Sequence, residues 1–224
     1  MKILLMDACG AGGTLALGDS LRTPPVFAGK TLTDRSAAAL LVPAVRELLA
    51  ESKMTLADMD AIAVVHGPGS FTGVRIGVSA AKGLSEGAGK PVIAIARLAV
   101  MACLSATERV HVVLDAGRGE FYLGCYKGMV CVREALVSRA ELLAAIAESP
   151  GVVCVCEPKI AEALRELTPV MLPEPVAADA FALAARAFEA KSFADVETLD
   201  ANYLRRADLE MLERQRAAQA AKAK

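Results

Sequence analysis

The chain has 224 residues, 54% of them hydrophobic, with 25 lysines and arginines against 26 aspartates and glutamates. That is enough apolar material for one large domain or two small lobes, and a formal net charge of -1 gives no overall basic footprint of the kind that holds nucleic acid unaided. Only four apolar residues separate Lys2 from Asp7, and the longest apolar run, 92–106, is interrupted by Arg97. The first is too short for a secretory core and the second for a membrane span, so a cytoplasmic protein with no membrane association is expected. The six cysteines form no CxxC pair and read as buried apolar side chains rather than zinc ligands or disulfides.

Residues 2–8 (KILLMDA) read as a strand reaching Asp7, followed by the turn Gly10-Ala11-Gly12-Gly13 and a second strand over 14–17. A strand, an acid and a glycine turn let a hairpin offer backbone N–H groups and a carboxylate to a phosphate or its metal. The same pattern also describes an ordinary hairpin with an aspartate at its turn. Further on, Leu40, Leu41, Ala44, Val45, Leu48 and Leu49 keep a helical rhythm, with Pro43 inside it, removing one backbone hydrogen bond and bending the helix.

Residues 61–65 (AIAVV) read as a buried strand. Gly67, Pro68 and Gly69 then turn the chain, Ser70 takes the N-cap position, and a helix is predicted over 71–84. Gly73, Gly77 and Gly83 cost that helix about 1 kcal/mol each relative to alanine, so it depends on tertiary packing. Gly73, Gly77 and Ala81 recur every fourth residue as a smooth stripe flanked by Ile76, Ala80 and Leu84. Spacing is evenly balanced between a stripe packed inside the chain and one shared between two subunits; we take it as a docking surface.

In the second half, the run VHVVL at 110–114 ends in Asp115, followed by Ala116-Gly117-Arg118-Gly119 and a strand over 120–126. Asp7 and Asp115 therefore hold equivalent places in two half-chain units, which points to two similar lobes with a cleft between them. Ser138-Arg139-Ala140-Glu141 is a capping box opening a helix to about Glu148. Residues 152–156 read as a buried strand, and 158–167 and 175–190 as helices with proline near their first turns. From 210 onward the composition is that of a frayed helix or a disordered tail.

Several chemistries are excluded. Gly87-Ala88-Gly89-Lys90 lacks the first glycine of a Walker A loop, and Pro91 follows its lysine. Ser70 is not in a GxSxG elbow. The two histidines, His66 and His111, stand apart with no nearby acid pattern and make a poor metal site.

The string GPGSFTGVRIGVSAAKGL at 67–84 resembles the signature of the TsaB (YeaZ-type) family, partner subunits in bacterial threonylcarbamoyl-adenosine tRNA modification. The paired hairpins resemble the actin-like ATPase superfamily. The resemblance implies an α/β, two-lobed, ribonuclease H-like fold with duplicated mixed-sheet lobes flanked by helices. By it, residues 1–105 form an N-terminal lobe with partner-binding helices, 106–209 a smaller C-terminal lobe, and 210–224 a tail. The stretch Asp200-Ala201-Asn202-Tyr203-Leu204-Arg205-Arg206 resembles the family's closing Pro-x-Tyr-Leu-Arg motif in part.

The resemblance further implies a non-catalytic subunit that binds TsaD through two helices, about 36–50 and 71–84, pairing with two counterparts as a four-helix bundle. Carried over residue by residue, that interface comprises Ser36, Leu40, Pro43, Ala44, Gly69, Ser70, Phe71, Thr72, Gly73, Ile76, Gly77, Ala80, Ala81 and Leu84. Also implied are the ATPase TsaE as a further partner, a homodimer when the chain is alone, tRNA reached through the complex, and ATP and metal held by TsaD. The TsaD family carries an HxxxH metal motif on its first helix; the equivalent stretch here, 33–39, has no histidine. The family's second turn reads DARxGEVY, and here Asp115-Ala116-Gly117-Arg118-Gly119-Glu120-Phe121-Tyr122 shifts the arginine by one place. The first loop has Ala8-Cys9 in place of the usual threonine after the aspartate. Asp7 and Asp115 remain candidate nucleotide ligands. The competing reading is a stand-alone small ATPase or phosphotransferase that uses both in the cleft.

Overall fold

A computed structural model of the chain describes residues 1–32, 37–202 and 204. The expected positions Arg35 and Ser36, Tyr203, Arg205 and Arg206 of the closing motif, and the tail from 210 lie outside the described residues.

The first sheet contains β1 (Lys2–Asp7), β2 (Gly13–Asp19), β3 (Val26–Leu32), β4 (Ala61–Val65) and β5 (Val92–Ile95) in the order β3-β2-β1-β4-β5. The second contains β6 (Arg109–Gly117), β7 (Glu120–Lys127), β8 (Val130–Ser138), β9 (Val152–Val155) and β10 (Val170–Met171) in the order β10-β9-β6-β7-β8. In each, an antiparallel three-strand meander is extended by two parallel strands. The sheets are topological copies, and the chain forms the two-lobed, duplicated α/β fold expected of it.

Helices α1 (Ala37–Glu51) and α2 (Phe71–Ala88) belong to the first lobe, and α4 (Arg139–Glu148) and α5 (Pro158–Ala163) to the second. α3 (Arg97–Leu104) lies between the sheets: Val100 packs with the first, and Leu98, Met101 and Ala102 with the second. α6 (Phe181–Glu189) follows in sequence but returns to the first sheet, where Phe181 and Ala184 pack with Ile3, Leu5 and Ala63. The ring of Phe181 lies so close over Gly18 that a Cβ there would collide with it. Residues of the segment Ala177–Ala201 thus pack with the first sheet although they follow the second in sequence.

Three strands have no counterpart among the predicted elements. β3 carries Gly29 and Lys30, β8 carries Arg133 and Glu134, and β10 has only two residues. All three are edge strands; the first two hold polar residues that blur the alternation, and the third is too short to show one. The apolar run 92–106 divides at Ala96 into β5 and α3. The predicted helix over 158–167 is α5 plus a 3-10 turn at Arg165–Leu167, and that over 175–190 begins as a 3-10 turn at Ala177–Ala180. α1 continues through Pro43, which faces solvent. The capping box Ser138–Glu141 opens α4 as read. Among the described residues, no helix is long and apolar enough to cross a membrane.

α2 is capped at both ends. Gly73 N–H donates to Ser70 Oγ at 3.3 Å, and Gly89 closes the helix in the left-handed conformation, φ 63°. Its small-residue stripe faces inward. A Cβ on Gly73 would collide with the carbonyl oxygen of Ala8, the Cβ position of Gly77 lies 3.6 Å from Ala8 Cβ and 3.7 Å from Val64, and Ala81 is fully buried. Ala44 of α1 is also core. Gly73, Gly77, Ala81 and Ala44, which the resemblance puts at the partner interface, seat the two helices on their own sheet. A periodic stripe of small residues marks close packing without saying what lies against it. Gly83 differs, since nothing lies within 4 Å of its Cβ position. Gly83→Ala is therefore expected to stabilise the chain by about 1 kcal/mol, and Gly73→Ala to destabilise it by about 3 kcal/mol, an overpacking cost; urea unfolding of the two variants checks both.

Candidate functional site

The two lobes face each other across a cleft of about 360 Å³. Its floor is the turn after β1 (Cys9, Gly10, Ala11), the start of α2 (Gly69, Ser70) and Arg97 at the start of α3; its other wall is Leu114, Asp115, Tyr122 and Glu157, with Glu174 reaching across. The strand-to-turn duplication extends to individual hydrogen bonds. Asp7 Oδ1 accepts the Cys9 N–H at 2.7 Å, and Asp115 Oδ1 accepts the Gly117 N–H at 2.8 Å. Each acid closes its own turn by bonding two residues ahead, the local habit of aspartate.

Their surroundings differ. Asp7 lies behind the turn, 3% exposed, with Oδ2 buried and unpartnered among the described residues. Burial raises its pKa, against the opposing pull of the Arg97 guanidinium. Asp115 lines the cleft, its carboxylate paired with Lys159 and its N–H bonded to Glu157 Oε2 at 2.7 Å. Arg97 is 5% exposed. Its backbone N–H donates to Gly67 O at 2.7 Å, its Nη1 to Cys9 O at 3.1 Å, and its Nη2 to the Glu174 carboxylate.

Of the residues read from sequence, the cleft gathers Gly69, Ser70 and Asp115. Three charged residues of the cleft went unread, Arg97, Glu157 and Glu174, as did Lys159, which pairs with Asp115. Arg97 had a visible signal, a lone cation in an apolar run, and Glu174 stands between Pro173 and Pro175. Ser70 Oγ is occupied as a helix cap. The imidazoles lie elsewhere: His66 Nδ1 is 3.4 Å from Asp200 O, with its pKa lowered by burial, and His111 Nε2 is 2.6 Å from Ser149 O. A carbonyl only accepts, so Nε2 of His111 donates to it, and Nδ1 lies 3.2 Å from Cys125 Sγ. Burial raises the pKa of the Cys125 thiol.

The cleft's donor set does not fit a nucleoside triphosphate. Asp115, Glu157 and Glu174 present carboxylates to it, and the cations Arg97 and Lys159 are paired with Glu174 and Asp115. Among the described residues, no group of three or more His, Cys, Asp or Glu side chains is arranged to hold a metal ion.

A second surface is the outer side of α1 and α2. Phe71 is 58% exposed, with the Arg75 guanidinium 4 Å or less from its ring centre, 3.7 Å. Leu40, Val42, Pro43, Thr72 and Gly83 are exposed, as are Gly69 and Ser70 at the helix start, while Ile76, Ala80 and Leu84 lie half-buried along the side of α2.

The family model described as TsaD, tRNA N6-adenosine threonylcarbamoyltransferase, matches residues 31–213. The chain belongs to this family. Within it the chain is of the TsaB/YeaZ type. It is 36% identical to the tRNA threonylcarbamoyladenosine biosynthesis protein TsaB of Escherichia coli over 131 residues, 57% of this chain and 55% of that protein. To the TsaB of Haemophilus influenzae it is 42% identical over 95 residues, 41% of this chain and 40% of that one. The chain thus spans about half the length or less of these curated relatives. The solved structure of YeaZ from Pseudomonas aeruginosa superposes with a TM-score of 0.74 at 26% identity, covering 91% of this chain and 100% of that one.

Because burial raises the pKa of Asp7 from 3.8, the native TsaB-type chain holds that proton more tightly than the unfolded chain. Stability then falls as pH rises from the unfolded value through the native one. Asp7→Asn removes this cost while keeping an acceptor for Cys9. Its urea midpoint is expected above wild type at pH 7, with the difference closing as pH falls below 3.8.

Proposed function

We propose that this chain is a non-catalytic scaffold of the TsaB type that binds TsaD and supports transfer of a threonylcarbamoyl group to the adenosine beside the anticodon in tRNAs reading ANN codons. The observation that carries the reading is the outer side of α1 and α2, where Leu40, Pro43 and Phe71 are exposed, Ile76 is half-exposed, and Gly83 further along α2 is open. An apolar patch of this kind on a folded domain marks a protein-binding surface, and a bare glycine lets a partner backbone come close. Gly69, Ser70, Ala80 and Leu84 lie at its margin.

In this reading the first lobe, residues 1–105 with the segment returning from Ala177, carries the partner-binding helices. The second lobe supports them. TsaD holds ATP and metal, TsaE joins as the ATPase, tRNA is reached through the complex, and the site of action is the cytoplasm. Alone, the chain pairs with a second copy through the same face by two-fold symmetry. A stand-alone ATPase or phosphotransferase finds less support, because the cleft carboxylates and paired cations leave a polyphosphate little to bind.

The test is co-purification with the same organism's TsaD, followed by light scattering. The double variant Leu40→Glu with Phe71→Glu, which puts two charges on exposed positions of the face and leaves the core alone, is expected to weaken the complex about 30-fold or more, the scale of a lost hot spot, with an unchanged circular dichroism spectrum. A complex of undiminished affinity would place the interface elsewhere.

A further inference from the structure

Arg97 is a buried cation at the bottom of the interlobe cleft, and the anion that meets it comes from far along the chain. Glu174 lies in the short connection between β10 and the 3-10 turn Ala177–Ala180. That connection is tied to both lobes. Leu172 N–H donates to Val155 O of the second sheet at 2.8 Å, and Ala177 N–H donates to Thr14 Oγ1 of the first hairpin at 2.8 Å. Between these anchors, Pro173 and Pro175 flank Glu174 and restrict its backbone.

The Glu174 carboxylate sits on the first glycine turn. Its Oε1 lies 2.6 Å from where a Cβ of Gly10 would stand, with Arg97 Nη2 at 3.4 Å from the same point. Gly69 and Ser70, at the N-terminal end of α2, line the same space. Arg97 Nε is buried in the cleft floor without a hydrogen-bond partner among the described residues. A guanidinium with a donor to spare, a glycine turn and the start of a long helix together make a site for an oxyanion.

We propose that Glu174 is a built-in occupant of an oxyanion site. Its carboxylate, carried on the strap joining the lobes, stands where a phosphate or a free carboxylate would bind and pairs with Arg97 Nη2. Withdrawing the side chain exposes a site that takes inorganic phosphate. The inference concerns the cleft alone and does not depend on the TsaD interface.

The experiment is thermal unfolding of the full chain in sodium phosphate and in sodium acetate, each against sodium chloride of equal ionic strength, for wild type, Glu174→Ala and Glu174→Gln. Wild type is expected to show no phosphate-specific rise in melting temperature. Glu174→Ala melts lower than wild type in chloride, because Arg97 Nη2 loses its partner, and recovers several degrees in phosphate as bound ligand stabilises the native state. Glu174→Gln, which keeps the bulk without the charge, recovers less. A rise in acetate equal to that in phosphate assigns the site to carboxylates; a rise in phosphate alone assigns it to tetrahedral oxyanions. The proposal is overturned if Glu174→Ala responds to neither anion, or if wild type responds as strongly as the variant. Should Glu174→Ala fail to fold in every buffer, the Glu174→Gln comparison decides by the same criteria.

Discussion

Helix α2 reaches the first glycine turn because residue 73 has no side chain. A Cβ there would collide with the carbonyl oxygen of Ala8, so the helix would have to stand off from the end of β1 and carry Ser70 and Gly69 out of the cleft floor. The close approach also lets Gly77 and Ala81 settle over Ala8 and Val64. What the glycines cost in helix propensity is offset by this packing. The same seating fixes the rotation of α2 about its axis, and with it which residues are turned to solvent. Both surfaces described above, the cleft and the outer helical face, follow from that one contact.

The duplicated architecture has diverged where charge is concerned. Asp7 and Asp115 make the same local hydrogen bond to the second residue after them, so the turns have kept their geometry. Around that frame one acid has been sealed behind the turn beside Arg97, while the other faces the cleft and pairs with Lys159. Side-chain cations now answer both acids, and Glu174 in turn answers Arg97. A buried guanidinium demands such a partner, because an uncompensated charge in a low-dielectric floor is costly. The cleft is therefore polar without being open.

The exposed face of α1 and α2 has the opposite character. Leu40, Val42 and Pro43 turn to solvent, Phe71 lies under the Arg75 guanidinium, and the residues beneath, Leu41, Ala44, Val45 and Ala81, are already satisfied by the first sheet. A helix pair with a full inner contact and an apolar outer one is built for two-sided burial. In the proposed reading, this divides the labour: the sheet holds the helices, and the helices are left to hold a partner.

Much of the frame was legible in the residues. The Gly-Pro-Gly turn, the cap at Ser70, the box at Ser138 and Glu141, the strands around Asp7 and Asp115 and the duplication itself all depend on neighbours within a few positions, so the sequence determined them directly. It left edge strands β3 and β8 hidden, because a strand open to solvent need not alternate. It showed that Gly73, Gly77 and Ala81 form a stripe, but a stripe has the same spacing whether a sheet or a subunit lies against it. Only the tertiary structure decided that it faces inward, because that depends on the path of β1 and β4. The pairing of Arg97 with Glu174, 77 residues apart, was likewise settled in space. No local periodicity encodes it; it exists because the strap from the second sheet must cross the cleft to bring α6 back to the first.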